Sequence, residues 1–575
     1  APNSLAHRTT WLRSDFIYFN ESFCITERIQ ENYFSRRLNN LTRTSGVLMH
    51  ISSLPGPFGI GTFGQSAYDF VDFLKETKQT HWQILPLTTT SYGDSPYQSF
   101  SAFAGNTYFI DYTLLEEDGL LKKNDYESVN FGDDPEKVDY SLIYKVKRPI
   151  LEKAVKRFIE LGDFDDYYHF EEANKDWLID FSEFMSIKES FNEEPWYNWD
   201  EASINREPET MKEYRETLSD QITYHKVTQY LFFKQYNQLK KYANDNHIQI
   251  VGDIPIYVSR DSVEMWATPQ YFKMKNKVEP THVAGTPPDS FSDDGQFWGN
   301  PIYDWEYMKE NGYDWWIWRL KESFNLYDVV RIDHFRGFES FWEVPYGSKS
   351  SAAGQWTKGP GYDLFKHITD ALGELNIIAE DLGFMTQEVI DMRDKTGYPG
   401  MKILQFGFNG FEDSIELPHN YIPNTAAYVG THDNMTARGW YEDTTNQAMR
   451  DQLDSYLNRR PGEKISEALN RGIASSVSNF AIYTMQDLLD LDNSARMNEP
   501  STIGHNWQWR MLDGAIDEPL KESLTKLTVE YFRAPQQYNP EQTEENTDEY
   551  VELEASDAKG EYHPAPELDD VETDI

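Results

Sequence analysis

The sequence has almost no cysteine. Cys24 is the only one in 575 residues, so no intramolecular disulfide and no cysteine-based zinc cluster can form. Such a chain suits a reducing compartment, and a cytoplasmic location is expected. Cations are also scarce: 53 Lys and Arg face 96 Asp and Glu, a formal net charge of −43. Nucleic acid and anionic membranes both need a basic surface, so neither is an expected partner. A neutral polymer is not penalised. No apolar run reaches the ~18 residues of a membrane span. The first residues show no charged segment followed by an apolar core, so no secretory signal is expected. HExxH and EF-hand spacings are missing too, which argues against a metal reading of clustered acids.

What is abundant is aromatic. Trp, Tyr and Phe make up 15% of the chain. Their faces stack on the apolar faces of sugars, which leans toward carbohydrate, although a large core accounts for the excess equally well.

Three regions separate. Residues 1–44 have no clean period and read as an extension outside the main fold. Residues 45–533 alternate short apolar runs with helical patterns. The strand-like runs are 46–50, 82–87, 248–253, 328–333, 377–381, 401–406, 427–431 and 480–485, most of them β-branched or aromatic. Helical patterns at 66–78, 224–243, 314–325, 362–375 and 386–396 lie between them. This alternation predicts an α/β fold with a parallel sheet, and eight repeats predict a closed (β/α)8 TIM barrel. The gap at about 114–247 holds an inserted, mainly helical subdomain. Residues 534–575 carry fourteen Asp or Glu, one Lys and four Pro, and are expected to be a disordered acidic tail.

The active site of such a barrel lies at the C-terminal strand ends. The fourth run ends Arg331-Ile332-Asp333-His334. Side chains alternate along a strand, so Arg331 and Asp333 share a face, and the cation keeps the carboxylate ionised. Alone, this pair reads equally as a structural ion pair. The fifth run ends at Glu380, whose pKa a second nearby carboxylate would raise, as a proton donor requires. The seventh ends Thr431-His432-Asp433-Asn434, and His432 alone reads as a core histidine. Together, two carboxylates flanking a glycosidic bond are the minimum for its cleavage, and a third can stabilise the positive charge that develops. Ser95-Pro96-Tyr97-Gln98 follows the second run, and Trp298, between glycines, reads as a sugar platform on a loop.

These blocks, with Ser45-Gly46-Val47-Leu48, Gly252-Asp253-Ile254-Pro255, Gly295-Gln296-Phe297-Trp298-Gly299 and Ala379-Glu380-Asp381-Leu382-Gly383, occur in an order that resembles the 4-α-glucanotransferases of glycoside hydrolase family 77. The resemblance covers roughly 85% of the chain, from 45 to 533. It implies a retaining double displacement without metal or organic cofactor. An α-1,4-glucan is the donor, and glucose or a maltooligosaccharide the acceptor. It implies Asp333 as nucleophile, Glu380 as acid/base and Asp433 as third carboxylate. Arg331, His432 and His334 match partners of the sugar at the cleavage point, and Tyr97 a stacking residue beside it. Trp298 matches the acceptor side, and Asp253 and Asp289 the donor groove. One departure is Met435, where the family often has Asp. A hydrolase would share the three carboxylates and release new reducing ends. A silent glucan-binding protein would bind without turnover.

Overall fold

The computed structural model describes residues 43–535 except 163, 289–293, 384, 409–413 and the side chain of Tyr92. The chain divides into one unit of Ala1–Ala534 and another of Pro535–Ile575. The expected extension and acidic tail lie almost wholly outside the described residues.

Eight parallel strands form the central sheet: β1 (Thr44–Leu48), β2 (His81–Gln83), β3 (Gln249–Pro255), β4 (Val329–Asp333), β5 (Ile377–Ala379), β6 (Gly400–Ile403), β7 (Thr425–Tyr428) and β8 (Phe480–Thr484). Their order is β6-β7-β8-β1-β2-β3-β4-β5. The two ends meet at a seam. The Ala379 N–H donates to the Pro399 carbonyl at 2.9 Å, and the Met401 N–H to Asp381 Oδ1 at 2.7 Å. The sheet is therefore a nearly closed (β/α)8 barrel.

Alternation along the strands separates two apolar layers. Leu48, Val251, Val329, Ile378, Met401, Ile403, Ala426, Tyr428 and Ile482 pack together inside the barrel. Their neighbours Ile250, Val330, Ile332, Ile377 and Ala427 join the larger cluster outside, against the helices. Full burial of each large aliphatic side chain stabilises by about 1.5–3 kcal/mol. At the opposite end from the site, the fully buried Arg533 donates to the carbonyls of Ala474 (2.7 Å), Thr44 (2.8 Å) and Ser478 (3.0 Å), tying the start of β1 to the approach to β8.

The insertion between β2 and β3 is helical, with helices Tyr140–Leu161, Asp165–Ala173, Lys175–Ser190 and Pro208–Thr217. Local chemistry bounds the first. Asp139 accepts from the Leu142 N–H at 3.0 Å, and Gly162 closes the other end at φ 71°, a left-handed value that suits glycine. The long helix Ser219–Asp245 returns the chain to β3 and fastens the loop after β2. Gln229 exchanges hydrogen bonds with both backbone groups of Gly105 (2.8 and 2.9 Å), and Gln235 does the same for Asp111 (2.8 and 3.0 Å). That loop carries Tyr97.

The pattern of short runs did not reveal a second sheet. Four antiparallel strands, in the order Phe297–Pro301, His282–Gly285, Ser340–Pro345 and Gln355–Lys358, straddle β4 in sequence, two before it and two after. Each is only four to six residues long, and the central pair, His282–Gly285 with Ser340–Pro345, forms across the intervening barrel strand.

Candidate active site

β4 sets the geometry. Val329 faces the lumen, so Arg331 and Asp333 do too. Arg331 is buried, and Nη1 meets Asp253 Oδ2 at 2.6 Å while Nη2 meets Asp333 Oδ1 at 3.0 Å. Burial alone would lower its pKa, but Asp253 and Asp333 raise it well above the usual arginine value. The guanidinium is a fixed positive charge beneath the rim.

Asp253 is the residue that the resemblance assigns to the donor groove. It is completely buried at the inner end of β3, where Oδ2 accepts from Arg331 and from the Tyr97 hydroxyl at 2.9 Å. It faces the lumen like Val251. Burial, opposed by Arg331 and helped by Asp333, pushes its carboxyl up to about 6.

Glu380 follows β5. The β4–β5 ladder continues past both strands: the Glu380 N–H donates to Ile332 O at 3.1 Å and the Phe335 N–H to Glu380 O at 3.0 Å. Between these bonds, His334 turns left-handed (φ 54°, ψ 45°) and aims its N–H at Glu380 Oε2, 2.6 Å away. A non-glycine residue in that region stores roughly 1–3 kcal/mol of strain. The Leu382 N–H holds Oε1 at 2.9 Å, so both carboxylate oxygens are oriented by backbone. Burial and then the charge of Asp333 push Glu380 up to about 8, against Arg331 and the two N–H donors. The rise agrees with the sequence reading, but its larger cause is burial rather than the second carboxylate.

The His334 ring is held neutral, its pKa lowered to about 3 by burial and then by Arg336. Its ring meets Trp298 edge-on at 4.7 Å. Trp298 lies on the edge strand Phe297–Pro301, not on a free loop, and its Nε1 donates to Gln296 Oε1 at 3.1 Å.

After β7, the turn around Asp433 is built by Asn434, whose Oδ1 accepts from the Thr431 N–H (2.8 Å) and Oγ1 (3.0 Å). His432 is buried as a core histidine would be, yet it belongs to the site. It stacks on Tyr97 at 5.2 Å and 16°, with Nε2 3.4 Å from Asp433 Oδ1. Asp433, His432, Tyr97, Asp253, Arg331 and Asp333 are therefore in contact in that order, through polar contacts except for the stacked rings of His432 and Tyr97. Asp289 lies outside the described residues. Among the described residues, no three His, Cys, Asp or Glu side chains are grouped to hold a metal ion.

The sequence profile of 4-alpha-glucanotransferase matches residues 49–515. The chain belongs to the 4-alpha-glucanotransferase family. The 4-alpha-glucanotransferase of Streptococcus pneumoniae serotype 4 is 58% identical over 492 residues, covering 85% of this chain and 97% of its own length. That of Clostridium butyricum is 49% identical over 486 residues, covering 84% and 100%. An amylomaltase from Streptococcus agalactiae, solved in complex with acarbose, matches with a TM-score of 0.84 at 50% identity, over 86% of this chain and all of its own.

In this member of the family, the loop after β8 adds residues that strand-end reasoning missed. Asn498 Nδ2 donates to Asp433 Oδ1 at 2.7 Å, and its backbone N–H to His432 O at 3.0 Å. Arg496 braces the pair, donating to Asp433 O and to Asn498 O, both at 2.8 Å. Trp507 packs against Tyr97 (5.8 Å) and His432 (5.9 Å). The available signal was the barrel rule itself: β8 also has a C-terminal loop, and it begins only a few residues after Thr484.

Proposed function

We propose that the chain moves an α-1,4-glucan segment from a donor glucan to the 4-hydroxyl of glucose or a maltooligosaccharide by a retaining double displacement. Asp333 is the nucleophile and Glu380 the acid/base. One observation carries this reading: two neighbouring carboxylates have different surroundings. Asp333 is paired to a permanently charged Arg331 at 3.0 Å, whereas Glu380 is pushed up to about 8 and holds its proton at neutral pH. That division of labour is what glycosidic cleavage through a covalent intermediate needs.

In the first step, Asp333 attacks C1 as the bond from C1 to the leaving O4 breaks, and Glu380 gives its proton to that oxygen. The new ester removes the negative charge of Asp333. One of the two influences that raise Glu380 is thereby lost, so the same carboxylate becomes a better base. In the second step, it takes the proton of the incoming hydroxyl while that oxygen displaces Asp333. Asp433, half-exposed and steadied by Asn498, accepts sugar hydroxyls and stabilises the oxocarbenium-like charge. Tyr97 and His432 wall the same sugar. His334 stands beside the same sugar, and Trp298, edge-on to the His334 ring, shapes the acceptor side, where a sugar must be favoured over water. Asp289 is assigned to the donor side.

No helix among the described residues is long and apolar enough to cross a membrane. With a single cysteine in the chain, we place the protein in the cytoplasm, which fractionation of cells would test.

The deciding experiment is incubation with pure maltotriose, following glucose, total reducing ends and the product ladder. Glucose plus longer maltooligosaccharides at constant reducing ends is the expected result. Rising reducing ends without longer products would overturn transfer in favour of hydrolysis.

A further inference from the structure

Glu380 stands beside the seam of the barrel, where β5 and β6 meet as the two ends of the sheet order. A regular parallel ladder would carry the backbone bond from Ala379 to Pro399 onward along both strands. The next bond is made by a side chain instead. Neighbouring side chains point to opposite faces, so Glu380 turns to the site and Asp381 to the seam. There Asp381 Oδ1 accepts from the Met401 N–H at 2.7 Å. Two residues along β6, the Ile403 N–H also finds a carboxylate, Glu416 Oε2 at 2.8 Å.

The place of Asp381 is built around its carboxylate. Its side chain is only 4% exposed, and Oδ2 is paired to Arg393 on the helix Gln387–Thr396, which links β5 to β6. Asp394 fixes the same guanidinium from another side, its Oδ1 accepting from Nε at 3.0 Å and from Nη2 at 2.6 Å. Burial opposes the charge of Arg393, yet Asp381 and Asp394 raise its pKa above the ordinary arginine value. Gly400 leaves the room: a Cβ there would collide with Asp381 Oδ2 and Arg393 Nη1. Both oxygens of Asp381 are thus engaged by protein.

Anchoring Asp381 fixes its neighbours on either side. Glu380 precedes it, and the Leu382 N–H, which holds Glu380 Oε1 at 2.9 Å, follows it. A shift of Asp381 would therefore displace the acid together with one of its two donors. We propose that Asp381, clamped by Arg393, is the positioning residue of Glu380: it closes the seam behind the acid/base and aims its proton at the leaving oxygen. The proposal rests on the acid/base reading of Glu380. It places the effect of Asp381 on proton transfer, not on sugar binding.

The test compares two donors in the full chain. The leaving O4 of maltotriose needs a proton, whereas α-maltosyl fluoride loses its fluoride from C1 as an anion, unprotonated, while Asp333 attacks. For the second donor, kcat/KM for fluoride release reports only that first step. Asp381→Ala should lower kcat/KM for maltotriose about a hundredfold, the scale of misplacing a reacting group by about 1 Å, and leave fluoride release within about threefold of the parent. Arg393→Gln, on the outer helix, should show the same selectivity with a loss of about tenfold, and serves as the test if Asp381→Ala does not fold. Asp381→Asn keeps the oxygen that accepts from Met401 and should recover part of the maltotriose rate. Equal losses on both donors, no loss on maltotriose, or an Asn variant no better than Ala would overturn the proposal. Glu380→Gln keeps the two readings apart: if it slowed fluoride release as much as maltotriose turnover, the acid/base assignment itself would fail.

Discussion

The pH dependence of turnover follows from the raised Glu380. An ordinary glutamate, with a pKa near 4.3, is protonated in only about one molecule in 500 at pH 7. With Glu380 pushed up to about 8, the acid form outnumbers the base by about ten to one at that pH, a gain of several hundred-fold in competent enzyme. The sign is fixed by the role. A general acid must carry its proton, so kcat/KM for maltotriose should hold through neutral pH and fall tenfold per pH unit above about 8. The carboxyl belongs to an interacting pair, so the limb reports the pair as much as Glu380. Asp333→Asn separates the two causes. The variant should lose turnover, and its Glu380 carboxyl, titrated by difference infrared spectroscopy, should ionise at lower pH than in the parent because a neighbouring negative charge is gone. It should remain above the ordinary glutamate range, because burial is the larger cause. An alkaline limb below about pH 6, or a Glu380 titration that does not move in Asp333→Asn, would refute this account. The same shift acts on stability. A carboxyl raised on folding contributes stability that is complete below its unfolded pKa of about 4.3 and lost as pH rises through about 8, so Glu380→Gln should narrow the difference in Tm between pH 5 and pH 9.

Three further outcomes are expected. Asn498→Ala removes the 2.7 Å bond to Asp433 and should lower kcat/KM by about ten- to a hundred-fold with Tm nearly unchanged; an unaffected rate would remove Asn498 from the site. Trp298→Ala should raise the ratio of hydrolysis to transfer, read as new reducing ends per glucose released, because the acceptor side loses its wall beside His334; a constant ratio in a folded variant would count against that role. Arg533→Ala should destabilise by about 3 kcal/mol or more without altering KM, since it removes a donor from the buried carbonyls of Thr44 and Ser478 and leaves Ala474 O to Arg43 alone; chemical denaturation measures it.

The barrel was legible because each of its eight strands is a compact apolar run, and alternation within the run already tells which residues face inward. Arg331 and Asp333 were placed on one face from spacing alone, and their shared bond bears that out. The small antiparallel sheet escaped because its strands are only four to six residues long and its central pair forms across β4, a long-range arrangement that leaves no local period. Asn498 escaped because it approaches Asp433 from a loop, where no repeat constrains direction. The depth of Asp253 was also illegible: it shares its motif with residues at the rim, and only the closed barrel makes it a buried support.

That buried support explains why a single arginine can serve two carboxylates. If Asp253 were absent, Arg331 would be free to close on Asp333 with both nitrogens and occupy both oxygens of the nucleophile. Instead Nη1 is drawn to Asp253 at 2.6 Å, and only Nη2 reaches Asp333, through Oδ1 at 3.0 Å. On the proposed mechanism the attack on C1 then falls to Oδ2. Asp253→Asn should therefore leave the site assembled but let Arg331 tighten on Asp333. Its expected signature is a fall in kcat larger than any change in KM for maltotriose, because the nucleophile rather than sugar binding is impaired. A variant that lost affinity while keeping kcat would instead make Asp253 a binding residue after all.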